Sequence, residues 1–204
     1  MSMWDKLTVG QFISLYDIET NDNLNVVEKQ QKMLAIVEGK SEEDYDNIKY
    51  SQLVIDYKNK LEFFNQVPDC KPVDFIEVNG NRYKFCFELT EITSGQYIDI
   101  SAFSGNIMGI NKIAACFFLP MKGKRYMEYG TIPHDKVAED LLDAKFVDIN
   151  GCMLFFYQLF KELISDTITY SSLREETRAV LLRLWNDGGG YILPNKSQTL
   201  KTSQ

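Results

Sequence analysis

The feature that most constrains the fold is a two-residue turn signal in the middle of the chain, Asn79-Gly80. This dipeptide is the strongest local signal for a tight β-hairpin, because both residues tolerate a positive φ. Large apolar residues occupy every second position on both sides of it: Ile76, Val78, Tyr83, Phe85, Phe87 and Leu89. Successive side chains of a strand point to opposite faces, so the pattern predicts two antiparallel strands with one buried face within residues 73–89.

Apolar residues at helical spacing lie on both sides of this hairpin. An isolated hairpin is only marginally stable in water, so we expect it to pack on these helices or to extend across a partner. Before it, the spacing and the capping residues predict helices that follow Thr8, run through Val27 to Gly39, follow Ser41, and run from Tyr50 to a stop before Pro68.

The phrase that opens the first helix occurs again after the hairpin. LTVGQFISLYDI begins at residue 7 and ITSGQYIDISAF begins at residue 92. In each copy a Thr and a Gln three residues later have capping-box spacing, Thr8 with Gln11 and Thr93 with Gln96. After each copy come an apolar helix, a helix with an acidic start, and a long aromatic-rich helix. A divergent internal repeat explains this order, and so do two unrelated helical stretches with common capping chemistry.

The predicted fold class is therefore mainly α (α+β), with two helical halves joined by a central antiparallel β-hairpin. The first half covers residues 1–68 and the hairpin region covers residues 69–91. The second half covers residues 92–187, with an insertion near residues 120–133 and a last helix predicted from Leu173 to Trp185. Residues 188–204 lack periodicity and are predicted to form a flexible tail.

Net charge and apolar run length argue against two classes of partner, nucleic acids and membranes. The formal charge of −7 disfavours nucleic-acid binding, because a basic face supplies most of the affinity for phosphate. The one basic cluster, Lys122, Lys124 and Arg125, is interpreted as a solvated loop. No apolar stretch reaches the roughly 18 residues of a membrane span, so we expect no membrane partner.

The sequence shows no recognisable catalytic, cofactor or metal site. The single histidine, His134, has no accompanying nucleophile motif and is interpreted as a helix entry capped by Asp135. Gly188–Gly190 lacks the lysine and hydroxyl of a phosphate loop. The four cysteines form no CxxC pair and no zinc-ligand pattern, and are interpreted as reduced thiols: Cys70, Cys86, Cys116 and Cys152. We therefore expect no enzyme activity, no cofactor and no bound metal.

Two stretches, FIEVNGNRYKFCFELTEITSGQYIDI at residues 75–100 and MLAIVEGKSEEDYDNIKYSQL at residues 33–53, resemble phage tail-assembly chaperones. Many of those small helical proteins carry a hairpin with a VNG-like turn that leads to a Thr-started helix. The resemblance implies a phage protein that binds structural subunits without catalysis. It also implies action in the host cytoplasm during virion assembly, with a place in the virion as a capsid-associated or connector subunit as the close alternative.

The predicted protein-binding elements are the hairpin and two apolar segments. The outer edges of the hairpin at residues 73–89 have open backbone groups that another chain can pair with. The run FFYQLF at residues 155–160 is apolar on nearly all sides, so it is either wholly buried or faces a partner. The tail has an apolar trio without periodicity. Candidate partner contacts are Phe155, Phe156, Phe160, Tyr191, Ile192 and Leu193. The partner is a copy of this chain or a larger phage subunit. An enzyme or a regulatory adaptor, with a site formed only in three dimensions, is the alternative function.

Overall fold

The computed structural model describes residues 2–88, 91–104 and 106–170, with side chains described as far as residue 159. Within these residues the chain forms seven α-helices and a four-stranded antiparallel sheet, which confirms the predicted mainly α (α+β) class. The helices are α1 Val9–Thr20, α2 Val26–Glu38, α3 Tyr50–Leu61, α4 Ser94–Phe103, α5 Ile110–Ala115, α6 His134–Leu141 and α7 Phe146–Tyr170. The strands are β1 Phe75–Val78, β2 Asn81–Phe85, β3 Phe118–Lys122 and β4 Arg125–Tyr126.

The predicted capping residues stand at helix ends. The Thr8 hydroxyl accepts a hydrogen bond from the Gln11 N–H and the Gln11 side chain accepts one from the Thr8 N–H, at 3.2 and 3.0 Å. Thr93 and Gln96 form the same reciprocal pair at 3.2 and 2.9 Å. Helix α2 ends at Gly39, whose φ of 63° is the left-handed conformation that ends many helices.

Two predicted helix starts need correction. The segment after Ser41 forms only a 3₁₀ turn, Glu43–Tyr45. That turn buries Tyr45 alone, so it lacks the apolar face that would stabilise a longer helix. Helix α6 begins at His134 with Pro133 as its N-cap, so Asp135 lies in the first turn instead of capping it. There its carboxylate still lies at the positive end of the helix dipole.

The hairpin forms at the predicted turn. Asn79 and Gly80 have φ values of 51° and 75°, as a type I′ turn requires. The strands pair antiparallel with Val78 opposite Asn81 and Phe75 opposite Lys84. The alternating apolar residues predicted a strand that continues to Leu89. Strand β2 is shorter and ends at Phe85.

The hairpin is half of a larger sheet, which the sequence did not predict. Strand β3 pairs with β2, with Phe118 opposite Phe85, and β4 pairs with β3. The sequence pattern predicted an apolar helix after the second copy of the repeated phrase, in NKIAACFFLP at residues 111–120, and then an insertion. The structure instead has a short helix and two strands there. Residues 110–119 are buried at nearly every position, and such a run has no period that separates a helix from a strand.

One core connects both predicted halves. Phe12 of α1 stacks on Phe146 of α7 with ring centroids 3.9 Å apart, and Phe117 meets Phe156 at 4.2 Å. The Val9 and Gly10 N–H groups donate to the carbonyl oxygens of Ala144 and Leu142, at 2.9 and 2.8 Å. The start of α1 therefore abuts the end of α6. Buried residues from residue 4 to residue 156 belong to one cluster.

An extended segment lies across α7. The Val73 N–H donates to Cys152 Sγ at 3.3 Å, and the Asn150 amide donates to Cys70 Sγ at 3.4 Å. Gly151 lies between these two positions, and a Cβ there would be 2.4 Å from the Lys71 carbonyl oxygen. Glycine is therefore required where residues 70–73 cross the helix.

Candidate protein-binding surface

The sheet has one face in the core and one face turned outward. Ile76, Tyr83 and Phe118 are buried on the inner face. The register places Phe75, Lys84 and Leu119 side by side on the outer face, and Tyr126 opposite Met121 on the next strand pair. Leu119 is buried, so Phe75, Met121 and Tyr126 give the outer face its apolar and aromatic surface, on three different strands.

Cationic side chains lie over its exposed aromatic rings. The Arg82 guanidinium is 4.4 Å from the Phe75 ring centroid, and Lys84 Nζ is 4.9 Å from that of Tyr126. The rings are 40% and 48% exposed. At exposed sites such pairs contribute only about 0.5–1 kcal/mol each. An incoming chain can therefore displace the cations and use the rings.

A groove of about 560 Å³ runs between this face and the start of α4. Its apolar lining includes Phe87, Ile92 and Leu119, together with the rings of Tyr126 and Tyr129. Four exposed carboxylates and one lysine also line it: Asp74, Glu88, Glu91, Glu128 and Lys84. An apolar groove with a net acidic rim favours a ligand that combines an apolar segment with a positive charge. We call it the sheet groove.

Both edges of the sheet are open in the part of the chain that the structure describes. The strand order β1-β2-β3-β4 leaves β1 and β4 at the edges. On β1, Phe75 and Glu77 lie between the positions that bond to β2, so their backbone groups point away from the sheet. Open strand edges pair readily with extended segments of other chains.

The hairpin tip, in contrast, is attached to the protein's own helices. The side-chain amides of Asn79 and Asn81 donate to Asp143 and Asp140, at 2.9 and 3.0 Å. The Tyr83 hydroxyl donates to Asp140 at 2.5 Å. Burial raises the pKa of Asp140, but hydrogen bonds from Tyr83, Asn81 and Lys136 outweigh it and hold that pKa below its usual value. The tip is therefore a fixed structural contact.

Cys116 and His134 lie close together but do not form an activated pair. Cys116 Sγ is 3.7 Å from His134 Nε2, which is itself 2.8 Å from the Lys112 carbonyl oxygen. A carbonyl oxygen only accepts, so Nε2 carries the hydrogen and donates it there. Burial raises the pKa of the Cys116 thiol to about 12. The thiol therefore stays protonated at neutral pH, and the imidazole helps to join α5 to α6.

A second groove, of about 810 Å³, lies beside α1 and α2. Its two lysines are paired: Lys32 with Glu42 at 2.5 Å, and Lys40 with Glu38 at 2.6 Å. The first N–H groups of α1 donate to carbonyl oxygens just after the end of α6 and to the Thr8 hydroxyl. The cations and the helix N-terminus are thus already neutralised within the protein, so this groove is a poor anion site.

The sequence-predicted partner residues have different environments. Phe156 is 1% exposed and packs in the core against Phe117, so its assignment as a partner contact is wrong. Phe155 is half-buried and meets Phe87 edge-on, with ring centroids 5.1 Å apart. The Phe160 side chain and the tail residues Tyr191, Ile192 and Leu193 lie outside the described residues. Thr93 and Gln96 cap α4 and also line the sheet groove.

Sequence reasoning missed most of the outer face. Phe75, Lys84, Leu119 and Tyr126 come together only because β3 and β4 extend the hairpin. One signal was present: Lys122-Gly123-Lys124-Arg125 follows an apolar run, and Gly123 has a positive φ of 65° at the β3–β4 turn. The two lysines and the arginine are exposed. The predicted solvated loop is instead a hairpin, because Lys122 ends β3 and Arg125 begins β4.

Among the described residues, no group of three or more His, Cys, Asp or Glu side chains is arranged to hold a metal ion. No described helix is long and apolar enough to cross a membrane. Comparisons of the chain with protein families, with characterised proteins and with solved structures find no match.

Proposed function

We propose that this protein is a non-enzymatic phage assembly protein that binds virion structural subunits through the outer face of its sheet. The observation that carries the proposal is the sheet groove, which combines an apolar lining with exposed carboxylates beside two open strand edges. The resemblance of residues 33–53 and 75–100 to phage tail-assembly chaperones supplies the biological context. A place in the finished virion is the close alternative within the same class.

The geometry of the surface supports protein binding over small-molecule chemistry. Four exposed carboxylates and Lys84 lie at its rim, and outside the groove His134 donates its hydrogen to the Lys112 carbonyl oxygen and does not activate Cys116. Two aromatic rings under displaceable cations offer contact area, and aromatic residues dominate binding energy in protein interfaces. The edge of β1 offers backbone hydrogen bonds to an extended chain.

Site-specific photo-crosslinking tests this proposal. A photoreactive phenylalanine analogue replaces Tyr126 of the sheet groove in one variant and Ile55 of α3 in a control. Ile55 is 51% exposed and lies on another part of the protein. Both variants are expressed during phage infection, and mass spectrometry identifies the adducts. We expect position 126, and not position 55, to crosslink to a virion structural subunit.

Two outcomes would overturn the proposal. Equal adducts from both positions would mean that the sheet has no special role. Adducts from position 126 with metabolic enzymes alone would move the function outside virion assembly. Mass spectrometry of washed particles then decides between an assembly factor and a virion component: the polypeptide is absent from particles in the first case and present in the second.

A further inference from the structure

The sheet groove has a complementary segment within the chain itself. Residues 188–204 contain Lys196 and Lys201 and no Asp or Glu, although the whole chain has a formal charge of −7. The apolar trio Tyr191-Ile192-Leu193 comes directly before Pro194, and Lys196 follows two residues later. This is an apolar segment next to a positive charge, which is the chemistry that the lining and the rim of the groove favour.

We infer that residues 191–196 of the same chain occupy the sheet groove when no partner is bound, and that a virion subunit must displace them. Tyr191, Ile192 and Leu193 would lie on the apolar lining formed by Phe87, Ile92 and Leu119. Lys196 would lie at the acidic rim. The inference rests on the proposed function, because it adds regulation to the same surface.

The length of chain permits this contact. Helix α7 passes the groove where Phe155 meets Phe87, and from residue 155 to residue 170 it extends about 22 Å at 1.5 Å per residue. The predicted helix Leu173–Trp185 covers about 20 Å, and the seven other residues between 171 and 190 can add roughly 23 Å, so this linker can span up to roughly 43 Å. The segment can therefore return to the groove from the end of α7.

Occupation by the same chain is favoured over occupation by a second copy. A segment tethered by a linker of this length has an effective concentration of about millimolar near its site. The same segment of a second copy, at micromolar concentration, competes poorly with this tethered segment. The groove also holds only a few residues, as ligand pockets of several hundred cubic ångströms do. A six-residue segment matches that size.

Cys86 provides a direct test on the full-length protein, because its half-buried thiol lines the groove. In the variant Ser197→Cys, a new thiol follows Lys196. Oxidised glutathione is then the oxidant: the two protein thiols join in a disulfide, the S–S bond of glutathione breaks, and two molecules of reduced glutathione carry away the two electrons and two protons. Non-reducing electrophoresis separates internal from intermolecular disulfides, and peptide mapping identifies the linked cysteines. The matched control Ser203→Cys places the thiol beyond the docking segment.

We expect an internal disulfide between positions 86 and 197 that forms at least several-fold faster than any disulfide from position 203. The additional change Leu193→Asp should abolish this difference, because it places a carboxylate on the apolar lining. Lys196→Glu should slow formation by about threefold, since an exposed charge pair contributes modestly. Lys201→Glu should leave the rate unchanged.

Three results would overturn the inference. Dimers linked between positions 86 and 197 would identify a second copy as the occupant. Equal rates from positions 197 and 203 would mean that the groove does not select the segment. A preferred disulfide to Cys70 would place the segment elsewhere. Because the assay uses purified protein, its failure is separate from a failure of the crosslinking experiment in infected cells.

Discussion

At the residue scale, Asp140 joins the hairpin to the helices. Its carboxylate is 5% exposed and accepts hydrogen bonds from Asn81 and Tyr83. Lys136 Nζ lies 3.4 Å from its other oxygen. A buried carboxylate is stable only when its lone pairs are used in this way. A substitution that removes the charge therefore weakens several contacts at once.

We expect Asp140→Asn to destabilise the fold by about 2 kcal/mol, the range for hydrogen bonds to a charged group. Folding lowers the pKa of this carboxyl, so its contribution is complete above its ordinary value of 3.8 and is lost as the pH falls through the folded value. Urea unfolding of both proteins at pH 7 and near pH 3 measures this. The difference between them should shrink at the lower pH.

Asp143→Asn is the matched control. Asp143 is exposed, and its side chain accepts a hydrogen bond from Asn79. The substitution should therefore lower the free energy of unfolding by less than about 1 kcal/mol. Equal costs at the two positions would contradict the role given to Asp140. A cost at position 140 that does not change with pH would contradict the lowered pKa.

Position 151 has no space for a side chain. A Cβ at this position would be 2.4 Å from the Lys71 carbonyl oxygen, so residues 70–73 must move away from α7. We expect Gly151→Ala to cost at least about 2 kcal/mol, within the range for overpacked sites. Gly95 is the helical control, because its added Cβ would meet nothing nearer than 3.9 Å. Thermal unfolding should show Gly95→Ala to be neutral or slightly stabilising, and the reverse order would contradict the packing described.

At the element scale, the two capping boxes have a further similarity that the sequence did not reveal. The Gln11 amide reaches the Ile36 carbonyl oxygen near the end of α2, at 3.4 Å. The Gln96 amide reaches the Cys116 carbonyl oxygen just after α5, at 2.9 Å. Each capping glutamine thus joins the start of its own helix to the end of the next helix, α1 to α2 and α4 to α5. This common arrangement supports the proposal of a divergent repeat, although Phe12 is buried and its counterpart Tyr97 is exposed.

The caps give a paired prediction. Thr8→Ala and Thr93→Ala should each lower the free energy of unfolding by about 1 kcal/mol, because each leaves a helix N–H without its acceptor. Thr20→Ala is the control, since its hydroxyl only donates to carbonyl oxygens inside α1. Urea titrations of the three variants measure the differences. A cost at position 20 equal to that at positions 8 and 93 would mean that the capping geometry contributes nothing.

The sequence predicted the elements with a clear local signal. Helix caps and the Asn79-Gly80 turn are local chemistry, so they could be recognised from a few residues. Strands β3 and β4 could not be recognised from the sequence, because Phe117, Phe118 and Leu119 form an apolar run without a period. The candidate surface depends on those two strands, so the sequence could predict only its open hairpin edge and not the groove. Phe156 was misassigned because an all-apolar helix segment fits a core and an interface equally well.

At the scale of the whole molecule, the two predicted halves pack together in one core. The Phe146 N–H donates to the Leu7 carbonyl oxygen at 2.8 Å, and Trp4 lies 5.6 Å from the Phe146 ring. The first residues of one half thus complete the start of the longest helix of the other. Removing either half would expose the aromatic residues that the other buries. We infer one cooperative folding unit instead of two linked domains.

Coincident unfolding is therefore the last prediction. In the variant Trp185→Phe, Trp4 is the single tryptophan and its fluorescence reports on the first half. The thiols of Cys116 and Cys152 are buried and report on the second half. Because one core contains all three residues, the urea midpoint from fluorescence should equal the midpoint from thiol reactivity. Cys70, which is half-buried, serves as the control for local opening and should react earlier. Two separated midpoints for Trp4 and Cys152 would contradict a shared core and would mean that the two halves unfold independently.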